Sequence, residues 1–420
     1  MSDSCFKPLG YIVSLVTDKC SFKKDPTKPY IGLEHIPSSG STLQGSAEAN
    51  ESISVNNIFR AGDILFGKLR PRLRKSVRAP FDGYCSTDII VLRPNQEVYS
   101  DFAGFVLQSD AVFAKAIRTE EGTKMPRCSW NTLQELEVFC PVNLTRQKRI
   151  AIILSSIDCA IDHTEALIEK YQQIKAGLMH DLFTRGIGAD GKLRPPRDQA
   201  PELYQESEIG WIPRDWKVEL IISCADVIDP NPSHRNPIYH DEGFPFISTV
   251  EFAEFDQIQL DTSRRVIEEI VLEQEQRCKF SKFSIAFSRK GTIGEIRLLP
   301  THLRFALLDS LCVVNPTTIN PSFLFHLLRS HFLKKQIRTM TMGQALPQMS
   351  IGRVRELFIP VPTSAKEQEE IKSKINAIDR YIFTNGEDLQ KLKSKKYGLM
   401  HDLLTGKVPV KVEADEAGHV

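Results

Sequence analysis

Gly177-Leu178-Met179-His180-Asp181-Leu182 recurs as Gly398-Leu399-Met400-His401-Asp402-Leu403, 221 positions later. A six-residue identity alone could be chance. The same offset, however, sets Ile157-Asp158 on Ile378-Asp379, Gln147 on Gln368, Met125-Pro126 on Leu346-Pro347, Asp88 on Asp309 and Ile64-Leu65-Phe66 on Ile285-Ala286-Phe287. It drifts to 219 at Pro141/Pro360 and to 222 at Pro94/Pro316, as small loop insertions produce. The chain is an ancient duplication, and a repeat has to be read before any element within it. Two copies also suit the length, because 420 residues exceed one ordinary core.

Each copy divides in two. Residues 1–142 and 206–362 carry short apolar stretches, such as Ile89-Ile90-Val91-Leu92 and Leu311-Cys312-Val313-Val314, bounded by Pro, Gly, Asn and Asp. They predict mixed α/β (α+β) globules. Residues 143–185 and 363–406 contain no proline and repeat apolar residues in a 4-3 heptad. The stripe reads Ile150, Leu154, Ile157, Ile161, Ile168, Tyr171, Leu178 and Leu182 in the first copy, and Ile371, Ile375, Ile378, Ile382, Leu389, Leu392, Leu399 and Leu403 in the second. Thr164 and Lys175, matched by Asn385 and Lys396, fill the remaining layers as register-setting polar positions do. Gly186 and Gly406 suit the helix ends. Either stripe alone could be the buried face of a helix in a larger domain. Two of matched length and register most simply pack on each other about a pseudo-dyad, as an antiparallel coiled coil with a globule at the start of each helix. Residues 186–205, rich in Gly and Pro, read as an exposed linker, and 407–420 as a tail.

The composition is 41% hydrophobic and 25% charged, and no apolar run approaches the roughly 20 residues of a membrane span. No signal peptide is expected at the start. Nine cysteines without a C-x-x-C pair point to reduced core thiols in a cytoplasmic protein, not to a disulfide framework or a zinc site. The net charge of +1 says nothing for or against nucleic acid, but its distribution does. Arg60, Lys68, Arg70, Arg72, Arg74, Lys75 and Arg78 face a single acid, Asp63, within one stretch.

Catalytic motifs fail one by one. Gly186-x4-Gly191-Lys192 imitates a phosphate loop, but Leu193 stands where Ser or Thr must hold magnesium, and a helix precedes it instead of a strand. Asp229-Pro230-Asn231-Pro232 departs from the amino-methyltransferase Asn-Pro-Pro-Tyr in order and lacks its aromatic residue. Asp215-x-Lys217 is a common pair, and no convincing partner carboxylate precedes it for a nuclease cluster. His180-Asp181 and His401-Asp402 sit in the last turns of the striped helices, where a structural contact or docking role is the better reading than a dyad. No catalytic residue and no metal site is expected.

The run from Lys68 through Arg70, Arg72, Arg74 and Lys75 to Arg78 alternates cations with Leu69, Leu73 and Val77, so a strand could turn its cations to one side. Arginine suits phosphates and bidentate contact with guanine. A solvated basic strand is the competing reading. The second copy places Arg289 and Lys290 there. Later in each copy comes a Gly- and Pro-containing loop, with Lys124 and Arg127 in the first and Gln344 and Gln348 in the second. Gln can pair with adenine and Lys or Arg with guanine, although each could also be an ordinary connection. These twelve residues are the candidate DNA contacts.

The stretch Leu346-Pro347-Gln348-Met349-Ser350, then Glu356-Leu357, Pro360-Val361 and Glu367-Gln368-Glu369-Glu370-Ile371, resembles the end of a target-recognition domain and the start of its spacer helix in type I restriction-modification specificity subunits. Leu403-Leu404-Thr405-Gly406-Lys407 and Ile209-Gly210-Trp211-Ile212-Pro213-x-x-Trp216 are similar to the same family. The likeness spans essentially the whole chain. In the first copy Arg146 replaces the Glu before Gln147, Thr184-Arg185-Gly186 replaces Thr-Gly-Lys, and the Trp opening is missing.

The resemblance implies a non-catalytic subunit whose two domains each bind half of a bipartite double-stranded DNA target. It also implies that the paired helices dock two methyltransferase subunits, with restriction subunits joining, and that S-adenosylmethionine, ATP and magnesium belong to those partners. An enzyme with its own nuclease or methyltransferase activity would need a further domain, and a pure scaffold would leave two globules without a task. From Ile150 to Leu182 is 33 residues, about 48 Å of helix, on the order of 14 base pairs of B-DNA.

Overall fold

The computed structural model describes residues 4–20, 25, 27–38, 42–49, 55–233, 236–253, 255–343 and 345–410. The chain forms two compact units, one of residues 1–165 with 388–420 and the other of residues 166–387. Each sequence copy therefore gives its globule to one unit and the far half of its long helix to the other.

In the first unit, strands Val13–Val16, Ile89–Pro94, Ile64–Gly67 and Ser76–Arg78 lie side by side, all antiparallel. Both faces of this sheet are covered, so Ile64-Leu65-Phe66 and Ile89-Ile90-Val91-Leu92 of its central strands are continuous apolar runs instead of alternating with polar residues. Ile64, Phe66, Ile90 and Leu92 pack with Phe102 and Phe113 from helices Ser100–Leu107 and Asp110–Arg118. Leu65, Ile89 and Val91 face the other way, towards Ile31, Phe59 and Val77. On that side a five-stranded sheet runs in the order Lys19–Cys20, Asn56–Phe59, Gly83–Cys85, Pro29–Ile31, Ala47–Glu48. The second unit repeats the four-stranded sheet with Ala225–Ile228, Leu311–Pro316, Ile285–Ser288 and Ile296–Leu298. The partition repeats too: Ile285, Phe287, Cys312 and Val314 pack on one side, and Ala286, Leu311 and Val313 on the other. Phe66 and Phe287 are fully buried, so truncating either to Ala would cost about 3–5 kcal/mol.

The two long helices span Leu144–Thr184 and Ala365–Leu404. Their heptad residues are the ones withdrawn from water. Ile150, Leu154, Ile161, Ile371, Ile375 and Ile382 are buried, Ile157 and Ile378 half-buried, and most positions between them exposed. Gly186 and Gly406 end the helices with φ of 63° and 73°, the left-handed conformation that costs glycine least.

Helix pairing is antiparallel within each unit. In the first, Ile150 and Leu154 share a core with Leu403 and Leu404, Lys396 bonds Asp158 at 2.6 Å and Lys393 bonds Glu165 at 2.8 Å. In the second, Ile371 and Ile375 share a core with Leu182 and Phe183, Lys175 bonds Asp379, and Tyr171 stacks on Tyr381 with ring centres 5.5 Å apart. Of the polar seam residues, the two lysines reach across to the other helix. Thr164 and Asn385 instead donate to Ala160 and Tyr381 carbonyls of their own helices. The Lys396–Asp158 pair is nearly dry, with side chains 13% and 9% exposed, so removing one partner would strand a charge at about 3–5 kcal/mol, whereas the intact pair adds little net stability; Lys393–Glu165, about half exposed, contributes little either way. Their value lies in fixing the register.

The linker reading of residues 186–205 needs correction. Arg194 has a side chain only 10% exposed and donates to Glu367 at 2.6 and 3.1 Å and to Asp215 at 2.6 Å. Ile187 and Ala200 are buried. Charge pairing and two apolar anchors hold this segment on the second unit. Of the tail, residues 411–420 lie outside the described set. No described helix is long and apolar enough to cross a membrane.

Candidate nucleic-acid interface

The basic run is not a strand along its length. Pro71 has no N–H for a ladder and fixes its own φ. Pro71–Leu73 is a 3-10 turn flanked by Arg70 and Arg74, both at a left-handed φ of 52°. Only Ser76–Arg78 is extended. The cations consequently diverge instead of sharing one face. Arg72 pairs with Glu120 at 2.9 Å and stays 72% exposed. Arg74 pairs with Asp110 at 2.5 Å and lies over the Phe113 ring. Lys75 donates to the Leu33 carbonyl at 2.6 Å, and Arg78 pairs with Asp101 at 2.9 Å. Lys68 is half-buried, and Arg70 is exposed with no ion pair among the described residues.

The fold brings this run to the loop that the sequence singled out separately. Glu121 and Arg127 bridge each other and close Gly122-Thr123-Lys124-Met125-Pro126, with Gly122 at a φ of 93°. Leu69 bridges Arg127, the Arg70 N–H donates to the Pro126 carbonyl at 2.7 Å, and the Cys128 N–H donates to the Lys68 carbonyl at 3.0 Å. Lys124 projects from the loop, exposed.

The second unit is built alike. Lys290 bridges Gln348, and the Met349 N–H donates to the Arg289 carbonyl at 2.8 Å. Gly343 turns the loop at a φ of 81°. Gln344 lies outside the described residues.

Carboxylates support both bridges. Arg127 grips Asp88 through Nε at 2.9 Å and Nη2 at 3.4 Å, which holds its pKa above the usual guanidinium value. Lys290 reaches Asp309 at 2.5 Å. Arg289 does not stand at the surface as expected of a DNA contact. Its side chain is 6% exposed and turned to Asp229 at 3.3 Å, so it braces the bridge from within. The structure also exposes Met125, Met342 and Leu346 on these loops, three large apolar residues that the sequence reading did not single out. A large apolar residue beside a turn glycine or proline was the available signal, since such side chains can meet a thymine methyl.

Among the described residues, neither histidine–aspartate sequence forms a reacting pair. Asp181 pairs with Arg185 at 3.6 Å, and His180 packs on His331 with ring centres 4.9 Å apart. Burial pushes the His331 pKa down to about 4, with His180 and Lys335 adding to the shift. Burial likewise pushes the Cys85, Cys278 and Cys312 thiols up to about 12, so they are inert packing groups. No group of three or more metal-ligating side chains occurs among the described residues.

A protein with two such bridged surfaces on duplicated globules, joined through paired helices, is of the kind that presents recognition surfaces and leaves chemistry to others. The chain belongs to the family described as type I restriction modification DNA specificity domain, which it matches over residues 14–173 and again over 213–394, and it is a non-catalytic specificity subunit. The MjaVIII specificity subunit of a type I restriction enzyme from Methanocaldococcus jannaschii is 25% identical over 91% of this chain and 86% of its own length. The putative MjaX specificity subunit of the same organism is 23% identical over 83% and 79%. In fold, the chain is similar to the crystal structure of a type I system S subunit from M. genitalium, with a TM-score of 0.57 at 15% identity over 96% of both chains. It is also similar to a structure concerned with complex assembly and conformational transition of the type I system, with a TM-score of 0.52 at 17% identity over 96% of this chain and 98% of that one.

Proposed function

We propose that each unit reads one half of a bipartite double-stranded DNA target with its bridged surface, while the paired helices set the spacing and dock two methyltransferase subunits. Restriction subunits join that complex in the cytoplasm. S-adenosylmethionine, ATP and magnesium are used by the partners, and this chain contributes recognition alone. The observation that carries the reading is the recurrence of one backbone bridge in both units with different side chains on it: Leu69 and Arg127 in one, Lys290 and Gln348 in the other. A shared frame carrying different donors is what reading two different half-sites requires.

The test is to express the chain with and without its partner methyltransferase and to map modified adenines by sequencing. Two short motifs separated by unread base pairs, methylated only when both proteins are present, support the reading. Methylation or cleavage by the homogeneous chain alone, under any cofactor supplement, refutes it.

A further inference from the structure

The carboxylates at the two bridges suggest how a base-reading cation is held. In each unit one of the two bridge positions is cationic and the other is not: Arg127 opposite Leu69, and Lys290 opposite Gln348. Leu69 corresponds to Lys290, and Arg127 to Gln348. The cation has thus changed sides of the bridge between the copies, yet in both it is met by an aspartate from the turn before a central strand, Asp88 before Ile89–Pro94 and Asp309 before Leu311–Pro316. A one-residue insertion shifts the second turn. The Lys68 N–H donates to the Asp88 carbonyl, whereas the Arg289 N–H donates to that of Ser310. The carboxylate still reaches the cation.

Stability does not account for such a pair, because partly exposed ion pairs contribute little. Attraction to phosphate does not either, since an aspartate beside a polyanion weakens non-specific binding. What a carboxylate does supply is direction. By engaging Nε and Nη2 of Arg127, with Nη1 beside the Met125 carbonyl at 3.4 Å, it fixes the plane of the guanidinium and leaves donors on its outer edge. A side chain already held loses less freedom on binding and tolerates fewer misaligned acceptors.

We propose that Asp88 and Asp309 are positioning residues for base reading, each orienting the cation at its unit's bridge towards one base of its half-site. This rests on the reading that the bridged surfaces face DNA. The experiment selects random-sequence duplexes with the full chain and sequences the retained pool.

Asp88→Asn should lower base discrimination about tenfold at one position of one half-site, leave the other half-site unchanged and leave retention of random DNA equal or stronger. Asp309→Asn should do the same at the other half-site. Asp88→Glu should retain discrimination. The double variant Leu69→Lys with Arg127→Gln, which transplants the second unit's arrangement, should change the preferred base at the position affected by Asp88→Asn while keeping it sharply read.

Unchanged base preferences in a normally melting Asp88→Asn protein would overturn the proposal, as would a uniform loss of binding to all sequences. Arg70→Ala and Lys124→Ala separate the two levels. If they weaken random-DNA binding but Asp88→Asn leaves discrimination intact, only the positioning role falls. If they leave binding and its salt dependence unchanged, the interface reading falls with it.

Discussion

Replacing Glu367 by Ala tests whether one buried carboxylate ties the entry segment of the second unit to the long helix. Glu367 is 5% exposed and accepts from the Ile187 N–H at 2.7 Å, from Arg194 at 2.6 and 3.1 Å and from the Trp216 indole at 3.1 Å. Removing it strands two neutral donors and leaves Arg194 with Asp215 as its remaining carboxylate partner. Breaking a buried pair in this way costs about 3–5 kcal/mol. In a unit of about 200 residues each kcal/mol lowers Tm by about 2–4 °C, so the second unit's transition should fall by roughly 6–20 °C. Glu367→Gln keeps the shape but turns an amide towards the guanidinium, and should fall between Ala and the parent. Differential scanning calorimetry of the full chain reads both. A Glu367→Ala transition within about 2 °C of the parent would show that the network contributes no net stability, and the account of residues 186–205 as a docked segment would have to be withdrawn.

Arg70→Ala should reduce the salt dependence of DNA binding by about one unit of slope, whereas Arg74→Ala, which loses Asp110 and the Phe113 ring, should lower Tm more than DNA affinity; equal effects from both in titrations at several salt concentrations would contradict the divergence of the basic run. His331, with its pKa down near 4, and His326, pushed down by burial, are neutral in the fold. The unfolded chain takes up their protons first, so stability of the second unit should be complete above about pH 6.5 and fall as pH drops towards 4. His331→Gln should flatten part of that decline in melts at stepped pH, and an unaltered slope would refute the assignment. Inserting one heptad after both Ile161 and Ile382 keeps the seam and adds about 10 Å. The unread gap in the preferred target should then lengthen by roughly three base pairs, and tight binding at the old spacing would remove the helices as the spacing element.

The sequence disclosed most where the physics is periodic or duplicated. The repeated hexapeptide and the 4-3 stripe could be read because each position repeats its burial on the next turn or in the other copy. Strands Ile64–Gly67 and Ile285–Ser288 stood out for the same reason. The basic run misled because alternation was weighed above Pro71, and left-handed arginines at 70 and 74 have no signature of their own. Arg289 looked like its exposed neighbours, and only the distant Asp229 decides that it turns inward. The Asp88 and Arg127 pair spans 39 residues and shows no local pattern. Glu367 and Trp216 were visible as motif residues without a reason. Their contact supplies one, and makes the absence of both from the first copy a single departure instead of two.

The paired helices carry a consequence for how such chains diversify. Asp158 and Lys175 lie in the first copy and Asp379 and Lys396 in the second, yet each aspartate is satisfied by the lysine of the opposite copy. A copy is thus a donor of one lock and one key, neither of which fits the other within it. Any exchanged half that keeps an aspartate and a lysine at these two positions can complete both locks with an unrelated companion, however far its loops have drifted. Neither ion pair draws on a residue of the bridged surfaces, so this part of the helix pairing is independent of what those surfaces carry.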